Sequence, residues 1–287
     1  MVTRAVLAAG LTMAAFAACA QTPAFGPAGP EGAPARRQEW RVPTPDAATV
    51  SHALLFRPQG EGPFPVAIIA QASVENEIRR AQMKQPEYSH LAEALVARGF
   101  AVLVPQRPGH GATGGPHLEG QGGCDAPDYL RAAQATGRAI VTALDFLRTQ
   151  PFARKQGAVI IGHSAGGFGA LALARRDPRE VAAIIAFAPG RGGHAHGRAG
   201  EVCAPEKLIA ASKALGQNAR VPVTWLVAEN DSYFSPALSR RMAEAFRAGG
   251  DRVTFTVLPP FARDGHFFAE EGDEALLGLI IANVTKR

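Results

Sequence analysis

Short apolar runs alternate along this chain with longer segments of helical periodicity. Pro65–Ala70, Phe100–Val104, Val181–Phe187 and Val221–Val227 are continuous, rich in Val, Ile, Ala and Leu, and read as strands buried on both faces. Glu39–Val42 and Val50–Phe56 read as an opening antiparallel pair. Between and after them, Pro86–Arg98, about Tyr129–Arg148, Pro205–Leu215 and Ser235–Ala248 carry the helical pattern, and Phe268–Val284 closes the chain as a further helix. Arg252–Leu258 supplies the last strand. Alternation of this kind predicts an α/β fold with a mostly parallel central sheet and helices on both faces. No internal repeat is visible.

One junction differs from the rest. Gly157–Gly162 is a β-branched strand that runs straight into His163, Ser164, Ala165, Gly166 and Gly167, and Ala/Leu-rich sequence then predicts a helix to about Arg176. Strand, tight turn and helix with a serine at the apex describe a nucleophile elbow. A side chain two residues either side of the serine is expected to clash, hence Gly162 and Gly166. With 31 glycines in 287 residues the pentapeptide alone is common enough to arise in a plain turn or a phosphate cradle, so the flanking elements carry the weight.

The N-terminus changes the compartment rather than the fold. Arg4 precedes an apolar stretch, Ala5–Ala18, too short to span a bilayer, and small residues follow at Ala18-Cys19-Ala20. Residues 1–20 therefore read as an export signal. Two readings stay open: soluble release after Ala20, or lipidation of Cys19, since Phe16–Cys19 is similar to a lipobox. The second would anchor the protein to a membrane by lipid alone. Either places it in the periplasm, on the outer membrane or outside the cell. Residues 21–37, rich in Pro, Gly and Ala, are expected to be a flexible tether, and 38–287 the folded domain. Cys124 and Cys203 are then the remaining cysteines. Both fall in long Gly-rich loops that leave the C-terminal edge of the sheet, so in an oxidising compartment they are expected to bridge.

A net charge of +5 does not imply a nucleic-acid partner, because the arginines are scattered and no basic block or aromatic pattern accompanies them. His194-Ala-His196 lacks further ligands at metal spacing, so neither metal nor cofactor is expected.

A serine nucleophile needs a base, and the base a carboxylate. In a parallel sheet both should follow later strands. Glu229-Asn230-Asp231 follows the strand ending near Val227, and Asp264-Gly265-His266 follows the last strand. The order Ser164, Asp231, His266 results, with Glu229 the competitor for the carboxylate and Asp264 expected to shape the histidine loop. The loop from Arg107 to Gly111 reads as structural. Tyr233, Phe234, Phe261 and Phe267 either line an acyl pocket or belong to the core.

These motifs resemble the α/β-hydrolase superfamily from about Glu39 onward. Within it the chain is similar to the dienelactone hydrolase branch, including an Ala70-Gln71 turn. It departs from that branch's type enzymes in having Ser164 for their cysteine and Ala72 for their glutamate. It is also similar to secreted cutinase-like polyester hydrolases, with Ala165 where those usually carry Met. The resemblance implies an exported serine hydrolase of carboxylic esters, acting on a small-molecule ester through an acyl-enzyme. It also implies two oxyanion donors: the Ala165 N–H and, by register in the loop after Ala70, the Ser73 N–H. A peptidase or amidase of the prolyl-oligopeptidase kind is the second expectation, and a non-catalytic hydrolase fold used for binding the third.

Overall fold

The computed structural model describes residues 25–285. The proposed export signal, with Cys19, lies outside the described residues. The chain runs β1 (Gly26–Pro27), β2 (Gln38–Pro43), β3 (Val50–Phe56), β4 (Val66–Ala70), α1 (Glu77–Ala81), α2 (Ser89–Val96), β5 (Ala101–Pro105) and α3 (Tyr129–Thr149). Then follow β6 (Ala158–His163), α4 (Ala165–Ala170), β7 (Val181–Phe187), α5 (Pro205–Gly216), β8 (Val223–Ala228), α6 (Pro236–Arg247), β9 (Val253–Leu258), α7 (Phe268–Glu271) and α8 (Glu274–Thr285).

All strands join one sheet in the order β1-β2-β3-β5-β4-β6-β7-β8-β9. The first four pair antiparallel, and from β5 through β9 every pairing is parallel. Parallel strands need crossover helices, which cover both faces and leave β4 through β8 almost entirely buried, while the edge strand β9 stays partly exposed. Alternate residues accordingly enter two cores. Val66, Ile68, Ala70, Leu103 and Ile160 face Ile140, Leu144, Phe168 and Phe246 beneath α3, α4 and α6. Ala67, Ile69, Val102, Val104 and Ile161 face Leu91, Leu95, Phe268 and Leu277 beneath α2, α7 and α8. Local chemistry sets the helix starts. Asp128 caps α3 by accepting the Arg131 N–H at 3.0 Å, and Ser235 caps α6 with Pro236 in its first turn.

Three expectations are corrected. Residues 26–37 are not a free tether: β1 pairs with β2 at the sheet edge, Gly32 bridges Arg37, and the Arg57 N–H donates to the Ala35 carbonyl. Composition misled here because an edge strand takes its hydrogen bonds from its partner. The expected closing helix is two helices, α7 and α8, broken at Gly272 and restarted where Asp273 Oδ1 accepts the Leu276 N–H. The helix after the elbow is also shorter than expected, passing into a 3-10 turn at Leu171–Leu173.

Cys124 and Cys203 form a disulfide with their Cα atoms 4.9 Å apart, 79 residues apart in sequence. It ties the loop after β5 to the loop after β7. In the chain-entropy model a closed loop of that length contributes about 4.5 kcal/mol. Reduction is therefore expected to lower the midpoint of urea unfolding clearly; an unchanged midpoint in reductant would contradict this.

Candidate active site

The C-terminal edge of the parallel strands gathers the polar groups. At the end of β6 the chain turns at Ser164 with φ 53° and ψ −120°, a conformation rare for any residue but glycine. Neighbouring backbone over-determines it. The Ser164 N–H donates to the Phe187 carbonyl at 2.9 Å, and the Ser164 carbonyl accepts from Phe168 at 2.8 Å and Gly190 at 3.2 Å. The two glycines are needed for the reason expected. A Cβ on Gly162 would sit 2.5 Å from the Gly166 carbonyl oxygen, and one on Gly166 would collide with the carbonyls of Ala70 and Gln71.

At the end of β8 the loop turns back so that buried Asp231, not Glu229, enters the site. Glu229 points to solvent. Asp231 Oδ1 accepts the N–H groups of Tyr233 and Phe234, both at 2.8 Å, and Oδ2 lies 3.1 Å from His266 Nδ1. Asp264 shapes the histidine loop, as expected: its Oδ1 accepts the His266 N–H at 3.0 Å and the Ser232 N–H at 3.0 Å. His266 packs against His163, the residue preceding the elbow serine, with ring centroids 5.0 Å apart. Among the described residues no hydrogen bond joins Ser164 Oγ to His266.

The four aromatic residues have different surroundings. Phe234 is core and Phe261 packs on Phe268. Tyr233 stacks on the His266 ring at 4.0 Å, and Phe267 stands edge-on to both. His194 stacks on the far face of that assembly, 3.6 Å from Tyr233, with Nε2 2.8 Å from Ser232 Oγ. His196 instead turns toward Cys124, so the two histidines serve different neighbours.

A buried ionic cluster beside the elbow had no signal in the sequence beyond isolated charges. Arg107 donates to both Glu119 oxygens at 2.7 and 2.9 Å and to the Gln71 carbonyl at 2.7 Å. Arg191 approaches Glu119 at 3.2 Å and Thr136 Oγ1 at 2.8 Å. Burial alone would raise the Glu119 carboxyl, but the two guanidiniums hold it well below the usual carboxylate range. His110, His117 and Glu119 could together present ligand atoms to a metal, their atoms lying within 4.8 Å of one another. Here the Glu119 oxygens serve the two arginines, and the cluster ties the loop after β5 to the loops after β4 and β7. An open cleft of about 480 Å3 lies farther along, lined by Lys84, Tyr88, His90 and Glu270.

Burial pushes His163 down to about 3 and His110 to about 4, so both are neutral in the fold. The unfolded chain takes up their protons near about pH 6.5. Their contribution is therefore complete above that value and is lost as pH falls toward 4 and 3, at about 1.4 kcal/mol per histidine per pH unit. Urea unfolding at about pH 5 is expected to show a lower midpoint than at about pH 7.5. A flat profile would contradict the buried, neutral state of these rings.

A family model described as serine aminopeptidase S33 matches residues 83–213. No curated protein sequence matches the chain. Among solved structures, an esterase of Pyrococcus furiosus is 13% identical, with a TM-score of 0.57 over 86% of this chain and 92% of that one. An acylaminoacyl peptidase of Pyrococcus horikoshii is 15% identical, with a TM-score of 0.60, covering 93% of this chain and 42% of that longer one. A Klebsiella pneumoniae protein described as a candidate dienelactone hydrolase is 18% identical, with a TM-score of 0.55 over 88% and 98%. By fold the chain is an α/β-hydrolase. Proteins that share this fold include the esterase and the acylaminoacyl peptidase just described. No helix among the described residues is long and apolar enough to cross a membrane.

Proposed function

We propose that the protein is an exported serine hydrolase of small carboxylic esters, with Ser164 as nucleophile, His266 as base and Asp231 as the carboxylate that orients it. The observation that carries this reading is the strained Ser164 turn on the same sheet edge as a buried Asp231–His266 pair at 3.1 Å. His266 Nε2 takes the Ser164 proton as Oγ attacks the ester carbon. The tetrahedral oxyanion is held by the N–H groups of Ala165 and Ser73. Collapse expels the alcohol, which receives the proton from His266, and water then enters by the reverse steps to release the acid. The Ser164–His266 hydrogen bond closes when substrate arrives, as in many unliganded hydrolases. The disulfide supports export, because such bridges persist in oxidising compartments. The mass of the mature N-terminus separates the two exported forms, release after Ala20 and lipidation at Cys19.

A peptidase or amidase reading has its own support in the family match over residues 83–213. Nitrophenyl esters of increasing acyl length, run beside aminoacyl anilides, separate the two. Ester turnover with anilides hydrolysed far more slowly supports the esterase; the opposite order replaces it with the peptidase.

A further inference from the structure

The loop after β4 poses a problem that the rest of the site does not. It must present a backbone N–H to the oxyanion, yet it reads Gln71-Ala72-Ser73, without a glycine to set its turn. Its conformation must be imposed from outside, and the hydrogen bonds around it show how.

Proton accounting leaves one arrangement. His163 Nε2 lies 2.7 Å from the His266 carbonyl oxygen, which only accepts, so Nε2 carries the hydrogen. His163 Nδ1 is then bare and accepts from the Tyr88 hydroxyl at 3.0 Å. With its hydrogen so used, the Tyr88 oxygen accepts the Ala72 N–H at 3.1 Å. The wire runs from the oxyanion loop, through Tyr88 and His163, to the backbone of the proposed base. A second wire holds the next residue. His110 Nδ1 lies 3.0 and 3.1 Å from the carbonyls of Pro108 and Arg107, so it donates there. His110 Nε2 therefore accepts from Ser73 Oγ at 2.7 Å. Ala72 has spent its N–H and Ser73 its hydroxyl. The Ser73 N–H is left without an acceptor among the described residues.

Tyr88 is also strained for this task. It sits at φ 48° and ψ 41° at the start of α2, a left-handed conformation that a bulky aromatic seldom adopts, while its ring is buried. Burial raises its phenol and lowers the His163 ring, so the wire stays neutral across the working pH range.

We propose that Tyr88 and His110 are positioning residues that clamp the oxyanion loop from two sides, so that the Ser73 N–H is held ready for the transition state. This rests on the ester-hydrolase reading above. Tyr88→Phe keeps the ring and removes only the hydroxyl, and Ser73→Ala removes the handle for His110 while keeping the N–H. For Tyr88→Phe, kcat is expected to fall about tenfold to a hundredfold with KM nearly unchanged, since a displaced donor is felt only as the oxyanion forms. Affinity for phenylboronic acid, which forms a tetrahedral adduct on the serine, should fall by a similar factor. Ser73→Ala should lower kcat in the same way, and the double variant should lose less than the product of the two, because both release one N–H. Should Tyr88→Phe lack a native melting transition, Ser73→Ala alone decides. A kcat within about twofold of wild type, a rise in KM at unchanged kcat, or boronate affinity that does not follow kcat would each overturn the clamp. Wild-type enzyme without ester turnover would sink the parent reading and this one together; an active wild type with unaffected variants would sink this one alone.

Discussion

Ser164→Ala is expected to lower kcat on a nitrophenyl ester by on the order of 10⁶ while leaving the melting temperature nearly where it was. The two halves of that result come from different features. Loss of activity follows because no other hydroxyl stands at the apex of the elbow, and the histidine and the oxyanion donors have no role to complete without it. Retention of stability follows from the turn. Its backbone is fixed by hydrogen bonds from Phe168 and Gly190 and to Phe187, none of which uses the side chain. Alanine keeps the Cβ that the left-handed turn already tolerates. Steady-state kinetics and a melting curve on the same preparation check both. A large drop in melting temperature would mean that the strain is held by the hydroxyl, and substantial residual turnover would remove Ser164 from the mechanism.

Asp231→Asn is the second large effect, on the order of 10⁴ in kcat, and the surroundings of this carboxylate say why the nearly isosteric change is so costly. Oδ1 receives two N–H groups, from Tyr233 and Phe234, so that position must remain an acceptor. The amide NH₂ of an asparagine is then forced toward His266 Nδ1. The imidazole can pair with it only by baring Nδ1 and placing its hydrogen on Nε2, where it can no longer take the serine proton. Structure and KM are expected to change little. Glu229→Gln serves as the control, because Glu229 faces solvent, and it should leave kcat unchanged. Equal effects of the two substitutions would remove the preference for Asp231 over Glu229.

That contrast shows where sequence reasoning reaches and where it stops. The parallel strands β4 through β8 were legible because they are dry on both faces and so almost wholly apolar, and the helices because one stripe of each is buried. The elbow was legible because sterics confine its glycines to two positions. The sequence favours Asp231 over Glu229 because it lies farther past the strand, where a loop can turn back; the burial of the one and the exposure of the other were not legible. β1 was hidden because its hydrogen bonds belong to β2, and its Pro/Gly composition resembles a linker. Tyr88 gave no signal at all. Its importance lies in a contact with His163, 75 residues away, and in a backbone conformation that tyrosine does not advertise. The same holds for Glu119, whose two arginine partners come from the loops after β5 and β7.

The central claim, that Ser164 is the nucleophile of an acyl-transfer site, is tested most directly by a fluorophosphonate that bonds covalently to an activated serine. Intact-mass measurement followed by peptide mapping is expected to find one adduct per chain, on the peptide carrying Ser164, with ester turnover falling in step with its formation. The same reagent should leave the Ser164→Ala and His266→Ala variants unlabelled, since without the base the hydroxyl is an ordinary alcohol. An adduct on another serine, or full labelling of Ser164 with turnover intact, would contradict the account.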